Sequence, residues 1–155
     1  MSTKATSLLK KQVHDHCLAL VKEQLDTIQS SLDQLMEAKT NETKSSAGDK
    51  YETGMAMIQN QEQLYKRQQV DAKNRWNVLN SIDPTKEKTT VDTGTLIQLS
   101  TGWFYMAVAI GKVTMEEQDV FVLSLQSPLG VLLKGKTAKD QINFNGKQIT
   151  VESVL

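Results

Sequence analysis

Cysteine, proline, aromatic residues, surplus charge and long apolar runs are all scarce in this chain, and each scarcity excludes something. A single cysteine, Cys17, rules out an internal disulfide and agrees with a reducing compartment. No apolar run approaches the roughly 18 residues needed to span a bilayer. The opening Met1-Ser2-Thr3-Lys4 leads into a charged amphipathic pattern unlike a secretory signal. A cytoplasmic protein without a membrane partner is therefore expected. Lys and Arg total 18, as do Asp and Glu. The balance holds in both halves, with 11 basic and 10 acidic residues up to Asn80 and 7 and 8 beyond it. A freestanding binder of duplex DNA carries a basic face, so nucleic acid is expected only as a contact inside a larger complex. No serine–histidine, cysteine–histidine or phosphate-loop arrangement is present. Hydrophobic residues make up 39% and aromatics 5%, enough for a thin seam and one modest core.

What is present divides into two periodicities. From about Ala5 to Lys39 there is neither proline nor glycine, and apolar residues recur at Val13, Cys17, Val21, Leu25, Ile28, Leu32 and Leu35. Steps of four and three predict a coiled-coil seam. Residues 40–48 are small and polar, as in a turn. Helical spacing resumes from about Asp49 to Asn80 through Met55, Ile58, Glu62, Tyr65, Gln69, Ala72, Trp76 and Leu79, with Met57 and Leu64 on the flank. The two helices are predicted to fold back as an antiparallel hairpin over residues 1–80 with its tip near 41–52. At 1.5 Å per residue the shorter arm reaches roughly 45 Å. Asp83-Pro84 ends the second helix, because proline lacks the amide donor and pushes the preceding residue out of the α region. Residues 81–92 read as a linker.

Beyond it the period shortens. Thr95–Ser100, Trp103–Ile110, Val120–Leu125, Gln141–Phe144 and Gln148–Val154 read as strands, and Asn145-Gly146 marks a hairpin turn. Between them Ser127-Pro128-Leu129-Gly130-Val131-Leu132-Leu133-Lys134-Gly135 reads as one short helix. Ser127 is its N-cap, Pro128 its first residue and Gly135 its stop. Residues 93–155 thus form a small antiparallel sheet domain with one helix, and the fold class is α+β.

The chemically distinctive stretch is Gly48-Asp49-Lys50-Tyr51-Glu52, at the turn between the two helices. Asp49 and Glu52, at i and i+3, can lie on one side of a first helical turn. Two carboxylates are a poor Mg²⁺ site alone but a sensible half of one completed by a partner. The same pattern serves as a capping box that satisfies the first amides of the helix. His14 and Cys17 share a helix face, yet a structural zinc needs four ligands, so Cys17 is expected in the seam. Lys66, Arg67, Lys73 and Arg75 form a basic stretch on the second arm, with Lys44 and Lys50 beside the tip. Its plainest role is a solvated face. Trp103, Phe104 and Tyr105 are expected in the sheet core.

The long hairpin, the Gly-Asp-x-x-Glu tip and a β-domain carrying Ser-Pro-hydrophobic-Gly-x-x-Leu-x-Gly-Lys together resemble the bacterial Gre transcript-cleavage factors. Gly48, Asp49 and Glu52 match the tip, and Ser127, Pro128, Leu133, Gly135 and Lys136 match the segment around the polymerase-docking surface. The resemblance implies a transcription elongation factor that is not itself an enzyme, with an FKBP-like C-terminal domain holding RNA polymerase. The hairpin would enter the secondary channel and stimulate cleavage of backtracked RNA. Asp49 and Glu52 would be the catalytic carboxylates supplied in trans, sharing one Mg²⁺ with the polymerase and holding none stably. Ser127, Pro128, Gly130, Leu133, Gly135 and Lys136 would form the docking segment. Lys44, Lys50, Lys66 and Arg67 are the candidates for touching nascent RNA. The family tip reads Gly-Asp-Leu-Ser-Glu-Asn-Ala-Glu-Tyr; here its serine, asparagine and third acid are Tyr51, Thr53 and Met55. That departure motivates an alternative, a secondary-channel regulator or inhibitor without cleavage activity. A prolyl isomerase on a coiled-coil stalk and a plain coiled-coil adaptor are the readings from other classes.

Overall fold

A computed structural model describes residues 3–44, 48–116 and 118–155, the side chains of residues 3, 42–44 and 48–50 excepted. Helix α1 spans Thr3–Lys44 and α2 spans Gly48–Ser81. The first helix therefore runs several residues into the stretch read as a turn. Its Thr-Asn-Glu-Thr composition suits a loop, but none of those residues breaks a helix as proline would. The chain is α+β as expected, its sheet lying wholly in the C-terminal part. It holds β1 (Thr95–Leu99), β2 (Gly102–Met106), β3 (Gly111–Thr114), β4 (Asp119–Leu123), α3 (Pro128–Leu133), β5 (Gln141–Phe144) and β6 (Lys147–Val154).

The chain divides into two compact units, one of Leu20–Trp76 and one of Met1–Ala19 with Asn77–Leu155. In the first unit the arms of α1 and α2 lie antiparallel, pairing Gln24 with Arg75, Gln29 with Gln69 and Lys39 with Glu62. Val21 and Ala72 are buried, while Leu25, Ile28, Leu32, Leu35, Met55, Ile58 and Tyr65 are half-buried. A two-helix seam has no third layer to close it, so burial stays partial. Met57 and Leu64 stand outside the seam and are exposed.

In the second unit the strand order is β3-β4-β2-β1-β6-β5. All neighbours are antiparallel except β2 and β4, which run parallel with Trp103 opposite Val120 and Tyr105 opposite Val122. The wholly antiparallel sheet expected from sequence is corrected at this pair. The cause is β3, absent from the sequence reading: Gly111–Thr114 holds one buried residue, Val113, in an exposed edge strand. That extra reversal brings β4 back parallel to β2. Strand β2 also ends at Met106, not Ile110.

Alternation then sorts side chains to two faces. On one, Ile97, Leu99, Met106, Ile142, Ile149 and Val151 meet Leu133 of α3 and Val91 in a single core. On the other, Leu96, Trp103, Tyr105, Val113, Val120 and Val122 are buried, and the basal turns of α1 lie against them through His14 and Tyr105. Val91, inside the stretch read as a linker, is 1% exposed. Its backbone bonds to Gly135 and Lys136 tie that stretch to the end of α3.

Candidate functional site

At the hairpin tip, α2 begins at Gly48. Asp49 and Glu52 therefore fall at the second and fifth positions of the helix so described. Negative side chains are common in the first turns of a helix, whose N-terminal end carries a partial positive charge. Glu52 is exposed; the side chains of Asp49, Lys44 and Lys50 lie outside the described residues. Tyr51 and Met55 are half-buried and Thr53 is exposed. Among the described residues no cluster of three or more His, Cys, Asp or Glu is placed to hold a metal ion. Two carboxylates offer hard oxygens of the kind Mg²⁺ takes, and fit as part of a coordination shell that other ligands complete.

Further along the arm, the candidate RNA-contacting pair separates in character. Lys66 Nζ lies 2.9 Å from Glu62 Oε1, one turn away, while Lys39 Nζ stands 3.9 Å from the other Glu62 oxygen. The Lys66 hydrogen bond first, and then the charges of Lys66 and Lys39, hold the Glu62 carboxyl below its ordinary range. A glutamate at a seam position is thus accommodated by a lysine on each side. Arg67 is exposed. Arg75 Nη2 donates to Gln24 Oε1 at 2.9 Å and Gln69 Nε2 donates to Gln29 Oε1 at 3.1 Å.

The segment singled out for docking turns out to be needed by the fold at nearly every position. Ser127 Oγ accepts from the Gly130 amide at 3.0 Å and donates to the Ser124 carbonyl at 2.7 Å, capping α3. Pro128 starts the helix. A Cβ on Gly130 would come within 2.2 Å of the Ser124 carbonyl oxygen, so only glycine fits. Leu133 is fully buried in the core. Gly135, at φ +79°, stops the helix in the left-handed region. The Lys136 carbonyl accepts the Val91 amide at 2.8 Å. What α3 offers outward is Val131 and Leu132, at 62% and 39% exposure, with Pro128 and Lys134 also exposed. Their signal in the sequence was an apolar pair at the outward positions of a helix only six residues long, too short for periodicity to separate its faces.

A buried polar group also lies at the base of α1. Lys10 is 1% exposed, and its Nζ donates to the carbonyl oxygens of Lys86 and Leu155 at 2.8 and 2.9 Å. Burial first, then the charge of Lys88, lowers its amine to about 8. One turn on, His14 Nδ1 lies 2.8 Å from the Tyr105 hydroxyl, with the rings edge to face. Burial lowers the imidazole and raises the Tyr105 phenol, and the Leu79 backbone also hydrogen-bonds the ring. A neutral imidazole with one N–H given to Leu79 leaves Nδ1 to accept the tyrosine proton. Cys17 is fully buried and its thiol is pushed up to about 12, an inert seam residue. None of these groups faces solvent, so they hold the fold together.

No protein-family model matches the chain, and neither does any curated protein. Among solved structures, one titled "Structure of the transcription factor Gfh1" is similar over 88% of this chain and 92% of that one. The sequence identity is 13% and the TM-score 0.35. Among the described residues no helix is long and apolar enough to cross a membrane.

Proposed function

We propose that this chain is a Gre-like transcription factor that binds RNA polymerase through its C-terminal domain and carries Asp49 and Glu52 into the secondary channel on the hairpin tip. One observation carries this. The acids sit in the first turns of α2 with Glu52 exposed, separated from Trp76 by 24 helical residues, roughly 36 Å. A fold that needed the Glu52 carboxylate for itself would bury it beside a cation. Here the two acids stand at the end of a long arm. In the polymerase they would supply oxygens to a shared Mg²⁺, which when bound activates water toward a phosphodiester. The chain's own contribution is delivery and negative charge, so it is an accessory factor and not an enzyme. Val131 and Leu132, flanked by Lys134, supply the exposed apolar patch through which α3 would meet the polymerase. Arg67 is better placed than the ion-paired Lys66 to touch nascent RNA.

A second reading has its own observation. Where the Gre pattern carries a third acid, this chain has Met55, half-buried in the hairpin seam. A tip with one fewer charge favours a regulator that acts by occupying the channel. The deciding experiment is a cleavage assay on a backtracked bacterial elongation complex with Mg²⁺, comparing wild type with Asp49→Asn/Glu52→Gln, alongside polymerase binding. Cleavage by wild type alone supports delivery of the acids. Binding without cleavage by either supports the regulator. Absence of binding removes both.

A further inference from the structure

The basal turns of α1 carry an exposed stripe that neither the tip chemistry nor α3 uses. Lys4, Leu8, Lys11 and Asp15 follow at i, i+4, i+7 and i+11, so they stand one above another on a single helix face. All four are exposed, Leu8 at 58%. Lys4, Lys11 and Asp15 form no salt bridge among the described residues. Leu8 is a ridge between two grooves. One, of about 570 Å³, runs past Lys4, Ser7 and Lys11 to a wall at Pro84 and Thr85. The other, of about 620 Å³, runs past Gln12 and Asp15 to a wall at Met115, Glu116 and Gln118. Either groove has room for a leucine side chain.

We infer that this stripe is a self-association surface, taken by the same stripe of a second copy in antiparallel orientation. The spacing 4, 8, 11, 15 is symmetric about its own middle. A two-fold axis there sets Lys4 against Asp15 of the second copy and Leu8 beside its Lys11. Each Leu8 ridge then enters a groove of the other copy while the Lys11 methylenes cover it. The charge order decides the occupant. The stripe is basic at Lys4 and acidic at Asp15, with Glu116 on the wall nearest that end. A partner of one charge sign would match only half of it, whereas a reversed copy matches both ends. The chain's net charge of zero also leaves no long-range repulsion between copies. The surface is small, so association is weak and visible only at high concentration.

The inference is independent of polymerase binding and is tested without it. Sedimentation equilibrium on the full chain, up to millimolar concentration at low salt, should show a monomer–dimer equilibrium that salt weakens. Leu8→Glu should lower the association constant by about tenfold or more. Lys4→Glu and Asp15→Lys should each weaken it, and Lys4→Glu/Asp15→Lys should restore it, because the double change swaps both members of the pair. All of these positions are exposed, and unchanged helical circular dichroism checks each variant. A monomer at every concentration overturns the inference. So does a dimer indifferent to Leu8→Glu, or a double variant no better than the single ones.

Discussion

Lys10 offers the sharpest physical test of the fold. Its amine is buried against the backbone oxygens of Lys86 and Leu155, and is lowered from 10.5 to about 8. Unfolding returns it to water and to its ordinary value. Between pH 8 and 10.5 the unfolded chain therefore holds a proton that the folded chain has released. Stability rises with pH wherever the unfolded state binds more protons, so this group adds stability as pH climbs through 8. The full shift would correspond to about 3 kcal/mol at the alkaline limit, and 1–2 kcal/mol is the working size because the fold relaxes around a buried charge. From pH 7 to 9 the expected gain is about 1 kcal/mol.

Two neighbours pull the other way. Cys17 and Tyr105 are both raised in the fold, so the unfolded chain loses their protons first and stability falls above about pH 9. The clean window is pH 7 to 9, and the clean observable is a difference. Urea unfolding of wild type and Lys10→Met at half-unit pH steps cancels every group except Lys10. At pH 7 the variant should be less stable by about 1–2 kcal/mol, since the Lys86 carbonyl loses its donor. The wild-type advantage should then widen by about 1 kcal/mol at pH 9. A difference that stays flat or narrows over that window would refute the assignment of a depressed amine.

Other outcomes follow from single observations. Ser127→Ala removes the α3 cap and should cost about 1 kcal/mol in urea unfolding, with Ser127→Thr retaining most of it. Gly130→Ala drives a methyl into the Ser124 carbonyl and should cost about 3 kcal/mol or more, read as a large drop in melting temperature. Lys139 holds φ +77° with a side chain attached, so Lys139→Gly should raise stability by up to about 1 kcal/mol despite glycine's extra unfolded-state entropy. Asp49→Asn/Glu52→Gln should lower the melting temperature by no more than about 5 °C, the size of two lost helix-dipole interactions, if the acids serve a partner and not the fold.

Much of this architecture was legible because each half of the chain keeps one period. The seam residues from Val13 to Leu79 are those the hairpin and its base bury or half-bury, down to Glu62 and Gln69, whose polarity the fold answers with Lys39, Lys66 and Gln29. The helix α3 was legible from its punctuation, serine, proline and glycine. What stayed hidden were features set by distant neighbours. Strand β3 has one buried side chain in four and pairs only along β4, so its alternation carries little signal. Val91 sits among threonines and charges, yet is fixed by bonds to residues more than forty positions away. Lys10 reads as an ordinary solvated lysine until the Lys86 and Leu155 carbonyls converge on it.

The same distinction governs the candidate sites. A motif is most visible where residue types are restricted, and restriction at Ser127, Gly130, Leu133 and Gly135 comes from capping, close approach, core volume and backbone sign. These positions report that a particular helix is being built, whatever its outward side chains then touch. The outward residues, Val131 and Leu132, are free of such restriction and were silent. At the tip the logic reverses. Among the described residues no bond of the fold calls for an acid at Glu52, which faces water. A residue that the fold does not demand, standing at the end of a long arm, is a better indicator of what the protein does than a motif the fold explains in full.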